Sequence, residues 1–177
     1  MLAIRNTPTH YGLIARVLHW TTVALVFLAI MMAVQSDALE MGPKKAAALT
    51  KHAMLGLAIL SVMLVRLYWR TVNVNPIDSY TLPRPYKILA MSLHRGIYCL
   101  VLALVLSGIL HVVFLGDSLP VAGRLGFGSI ARENAPVADL WHDIHVRFTY
   151  VLYVVIALHV LGAIVHGIFG VRDEHTG

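Results

Sequence analysis

A single cysteine, Cys99, stands in a chain of 177 residues. One thiol excludes an intramolecular disulfide, a thiolate zinc cluster and the C-x-x-C-H attachment of covalent haem. Charge is scarce as well: Asp, Glu, Lys and Arg make up 13% of the residues, against roughly 25% in soluble domains. With 58% apolar residues and a mean hydropathy of +0.74, the composition excludes an ordinary water-soluble fold. The formal charge of +5 does not point to nucleic acid, because the basic residues flank apolar stretches instead of forming one run. Membrane lipid headgroups are the partners this pattern implies. There is no internal repeat and no low-complexity tract.

What the sequence does have is long apolar runs, at about 17–34, 53–69, 97–115 and 148–169. Each approaches the ~20 residues that an α-helix needs to cross a hydrocarbon core. Backbone polar groups in lipid must be paired within the segment, so helices are expected, and runs this continuous do not resemble the alternating strands of a membrane barrel. The first run follows Arg5 and Arg16 but is longer than a signal-peptide core and lacks a small-x-small cleavage site, so it is read as a retained helix. Proline and glycine mark two loops, 71–85 and 116–140. The expected fold is all-α: one integral membrane four-helix bundle over residues 1–177, with helices at about 11–35, 47–70, 86–115 and 141–170. Eight of the fourteen basic residues fall on the side that holds both termini, which places the termini in the cytoplasm by the positive-inside tendency.

Histidines are the polar residues that the spans retain. His145 and His159 are fourteen residues apart, a rotation of about −40° and a rise of roughly 21 Å on a helix. They share a face at two depths, and His166 continues the stripe. Measured from the helix ends, His52 lies at the depth of His145 and His19 at that of His159. Two imidazole pairs, one near each face, suit two haem groups with histidine on both sides of each iron, since neutral imidazole ligates iron without burying charge. Zinc would want three or four ligands converging on one point. His94 and His111 fall near the same depths, but their seventeen-residue spacing rotates them by about 260°. They are second-choice ligands, not expected to face one axis equally.

Arg66 follows His52 by fourteen residues and lies at the depth of the His19–His159 pair. Arginine in a membrane helix tends to face a partner, and a haem propionate is a suitable one; Arg16 and Arg147 are similar candidates, with snorkelling to headgroups the alternative. Gly56 and Gly162, close after His52 and His159, leave room for a flat macrocycle or merely allow close helix contact.

Several motifs carry a resemblance. "LHW" at 18–20, "HAMLGL" at 52–57 with "RLYWR" at 66–70, "HRGIY" at 94–98 and "HVRFTYVLYVVIALHVLGAIVH" at 145–166 together resemble the bacterial cytochrome b561 family, four-helix membrane cytochromes with two non-covalent haem b groups. The resemblance implies axial ligation by His19 with His159 at the cytoplasmic haem and by His52 with His145 at the outer one, in a bacterial inner membrane. The family often ends its fourth helix with a doubled histidine; here Gly167 follows His166. His142 is not part of the motif.

The resemblance further implies electron exchange with ubiquinone or another quinone, and the family includes enzymes that oxidise periplasmic superoxide. Quinone reduction needs protons, which His166 is placed to supply, while Arg84 or Lys87 is placed to hold a quinone carbonyl. Lys51, Arg124, Arg132 and Arg147 would attract superoxide on the outer side, offset there by Asp37, Glu40, Asp117, Glu133, Asp139 and Asp143. Two other readings stand beside this one. The first is a haem-bearing membrane anchor that passes electrons to or from a separate partner protein, such as a periplasmic electron-transfer partner. The second is a histidine-lined metal transporter, against which the near absence of acidic residues inside the spans argues.

Overall fold

The computed structural model describes residues 3–74, 76, 84–116 and 133–169, except for the side chains of 85–87, 90 and 165–169. Four helices run through it: α1 (Leu13–Asp37), α2 (Pro43–Val72), α3 (Arg84–Phe114) and α4 (Ala135–Phe169). All four contain segments long and apolar enough to cross a membrane. The architecture is an all-α, membrane-spanning four-helix bundle.

Local chemistry explains where the helices begin. Gly42, with φ at 156°, lets the chain reverse after α1, and Pro43 at the first helical position starts α2 with φ already set. α2 therefore begins four residues before the expected Ala47. The larger difference is at α4, which starts at Ala135 and not near Trp141. Asn134 is the cause: its side-chain oxygen accepts from the Val137 N–H at 3.3 Å and its carbonyl from Ala138 N–H at 2.9 Å, and Pro136 suits a first turn. The stretch 135–140, read from sequence as loop, thus extends α4 by more than a turn.

α1 packs along α2, and α3 along α4, as two antiparallel hairpins; α2 meets α3 over a shorter seam. The backbone of α4 makes no extended approach to α1 or α2 among the described residues. Side chains close part of that gap. Ala29, Ile59, Met63, Val101, Leu104, Val105 and Leu152 form the buried core, one contribution or more from each helix. Buried hydroxyls are satisfied locally, Thr22 donating to the Leu18 carbonyl and Ser36 to that of Ala33. Much of the remaining apolar surface faces outward, with Phe27 60% and Val154 60% exposed, as expected of helices whose outer solvent is lipid.

Two ends of the bundle can be told apart. At the termini end the N-terminal segment is tied down, Leu13 N–H donating to the Ala3 carbonyl and the Asn6 amide to the Val74 carbonyl. The turn end holds the α1–α2 turn, the last turn of α3 and the start of α4.

Candidate functional site

Four imidazoles singled out by depth face one another across the gap between the α1–α2 hairpin and α4. His19 and His159 lie at the termini end with ring centroids 6.4 Å apart; His52 and His145 lie at the turn end at 5.9 Å. The partners come from helices whose backbones stay apart, so the imidazoles reach into the gap from both sides.

The turn-end pair is oriented by backbone carbonyls. His52 Nδ1–H donates to the Ala29 carbonyl at 2.9 Å, and His145 Nδ1–H to that of Leu104 at 2.9 Å. Ser107 Oγ also donates to the Leu104 carbonyl and lies 3.2 Å from His145 Nδ1. Tying Nδ1 to a carbonyl leaves the Nε2 lone pair free, the arrangement that ligating histidines use. Gly108 makes room for the ring: a Cβ there would lie 3.3 Å from both Cε1 and Nδ1 of His145.

The termini-end pair is held differently. Arg66 Nη2 donates to His19 Nδ1 at 2.9 Å, and the same guanidinium lies 5.2 Å from the Tyr98 ring, with Arg70 over that ring at 5.7 Å. A neutral His19 accepting at Nδ1 carries its proton on Nε2. Three residues beyond Arg66, Trp69 Nε1 is buried without a hydrogen-bond partner among the described residues.

The two second-choice histidines both meet histidines of α4, but only His94 does so at one of the two facing pairs. His94 lies 5.3 Å from His159 and His111 5.0 Å from His142, ring centroid to ring centroid. His142 and His159 are themselves seventeen residues apart, like His94 and His111. Two antiparallel helices in one register therefore pair both, and rotation on α3 alone could not reveal it.

Other candidates stay apart. Arg16, Arg84 and Arg147 are exposed, and the side chains of Lys87 and His166 lie outside the described residues, as do Arg124 and Arg132. Among the described residues nothing lies within 4 Å of a Cβ added at Gly56 or Gly162. Among the described residues no group of three or more His, Cys, Asp or Glu is placed to hold a metal ion. Gly108, Ser107 and the carbonyls of Ala29 and Leu104 had escaped sequence reasoning. A glycine next to a serine in the third span was the available signal.

Comparison with known proteins gives the family. The prokaryotic cytochrome b561 family matches residues 10–173. The chain is also similar to cytochrome b561 homolog 2 of Escherichia coli (strain K12), at 24% identity over 170 residues, covering 93% of this chain and 88% of that protein. The chain belongs to the prokaryotic cytochrome b561 family, as a multi-pass inner-membrane protein whose fold is consistent with haem-based electron transfer.

Proposed function

We propose that the protein carries electrons across the inner membrane between two haem b groups, one held by His52 and His145 and the other by His19 and His159, and exchanges them with a membrane quinone. Both termini are then cytoplasmic and the turn end is periplasmic. The observation that carries this reading is the pair of facing imidazoles at each end of the gap, at 5.9 and 6.4 Å. A metal–nitrogen bond of about 2 Å and about 1.1 Å from nitrogen to ring centroid put two imidazoles on opposite sides of one ion about 6.3 Å apart. The donor set fits as well, being neutral nitrogen at each position.

Haem bound between two histidines supplies one-electron oxidation and reduction at iron. The chain's own residues do the rest. Ala29 and Leu104 carbonyls fix the tautomer of His52 and His145 and raise their basicity. Ligation by His19 through Nε2 requires Arg66 to release Nδ1, and a propionate carboxylate is the partner that suits both the freed guanidinium and the orphan Trp69 N–H. Held by a histidine from each side, each haem would offer substrates no open place at its iron, and the chemistry it would supply is outer-sphere electron transfer.

At the termini end, reduction of ubiquinone or another quinone takes up protons with the electrons, which His166 would deliver while Arg84 or Lys87 holds a carbonyl. At the turn end superoxide is a fitting donor: each anion gives up one electron and leaves as dioxygen, and two of them reduce one quinone. The test is the reduced-minus-oxidised visible spectrum of the purified chain with a haemochrome count, followed by quinone reduction under a superoxide source. Two b haems and superoxide-dependent quinol formation are expected. Two haems without that activity would redirect the reading to an anchor serving a separate electron-transfer protein; no haem would end it.

A further inference from the structure

His111 and His142 take no part in the electron path proposed above, yet His111 is oriented as a ligand is and His142 lies beside it. His111, in the last turn of α3, donates its Nδ1–H to the Ala138 carbonyl at 2.9 Å. This is the device that orients His52 and His145, and it leaves His111 Nε2 as a lone-pair donor. His142 is on α4 one turn after Ala138, and its exposed ring lies 5.0 Å from that of His111, tilted by 45°.

The separation distinguishes this pair from the two that face each other across the gap. Two imidazoles on one ion at a tetrahedral angle have centroids about 5.1 Å apart, whereas opposite positions give about 6.3 Å. The 5.0 Å of His111 and His142 matches the first geometry, while 5.9 and 6.4 Å lie nearer the second. His94 and His159, at 5.3 Å, share His159 with the His19 pair and so belong to that site.

We propose that His111 and His142 bind a divalent transition-metal ion at the turn end of the bundle, with water in the remaining positions. Imidazole nitrogen selects zinc, copper or nickel over magnesium or calcium. No third His, Cys, Asp or Glu joins the pair among the described residues, so the site is labile and copper(II) binds more tightly than zinc. Binding clamps the last turn of α3 to the start of α4.

The test uses the full-length, haem-loaded protein freed of any affinity tag. Zinc is titrated calorimetrically, and the copper(II) complex is examined by electron paramagnetic resonance for coupling to imidazole nitrogens. One zinc per chain is expected, with nitrogen coupling for copper and a thermal midpoint that rises on adding zinc. His142→Ala alters an exposed side chain, so its unchanged haem spectrum certifies the fold. In it, zinc affinity falls by more than the roughly 10-fold that loss of an outer-shell partner costs, and the rise in midpoint disappears. His111→Gln gives the same loss. Unchanged zinc binding in His142→Ala, or binding abolished by His10→Ala instead, overturns the proposal, as does failure of the wild-type chain to bind zinc stoichiometrically.

Discussion

Substituting Gly108 by alanine is the sharpest probe of the turn-end site, because it adds one methyl group at a known distance from one ring. The new Cβ would lie 3.3 Å from Cε1 and Nδ1 of His145, inside ordinary van der Waals separation. The ring cannot slide freely, since Nδ1 is held by the Leu104 carbonyl at 2.9 Å and lies 3.2 Å from Ser107 Oγ. Either His145 shifts and loosens that hydrogen bond or α3 and α4 separate, and overpacking of this kind costs about 1–3 kcal/mol. At about 1.4 kcal/mol per decade of affinity, haem at the turn end binds roughly 10- to 100-fold more weakly. Alanine is the better helix former by up to about 1 kcal/mol, which offsets part of that cost for the fold. Haemin titration of the haem-depleted protein, with a haemochrome count after dilution, reads the effect: the His19–His159 haem is retained and the other is lost. Two haems retained with wild-type affinity would refute the placement of His145 as a ligand fixed by α3.

Other outcomes follow from the same geometry. His52→Ala and His145→Ala each remove one haem, and His19→Ala and His159→Ala each remove the other; a single variant that loses both, with the helices intact by circular dichroism, breaks the pairing. The turn end fills first during haemin titration, because His19 must give up a charge-assisted bond from Arg66 at 2.9 Å, worth about 1.5–3 kcal/mol. Equal affinities measured in His52→Ala and His19→Ala would count against that order. Trp69→Phe removes a buried donor that has no partner among the described residues. It is expected to raise the thermal midpoint of the haem-depleted chain while weakening haem retention at the termini end, and stabilisation of both forms alike would show that no propionate uses the indole. Gly56 has nothing within 4 Å of an added Cβ, so Gly56→Leu clashes with no protein atom in direct contact with that Cβ. A fall in haem content therefore reports a macrocycle beside it, and unchanged content places the macrocycle elsewhere.

How far this could be read without coordinates varies by element. Four spans were legible because runs near 20 residues with so little charge have one stable form in lipid. The matched depths of His52 with His145 and of His19 with His159 are legible as well, since depth along a helix follows from rise per residue alone, and these rings lie 5.9 and 6.4 Å apart. The start of α4 is not legible, because Pro136 reads as a loop signal while Asn134 ahead of it is a helix cap. Rotation about α3, which ranks His94 and His111 second, is a property of one helix; their contacts with α4 depend on the register between two.

The sequence by itself determined what lies along each helix axis: the spans, the depth of every imidazole, and the face shared by His145 and His159. These are one-dimensional quantities, set by 1.5 Å and 100° per residue. Only the tertiary structure decided what meets across the axes. It tied Nδ1 of His52, His145 and His111 to carbonyls of neighbouring helices, set Gly108 against the His145 ring, and turned Arg66 onto His19. A backbone carbonyl is present at every residue, so composition and spacing cannot single out the one that a histidine will use; the packing of α1 on α2 and of α3 on α4 makes that choice.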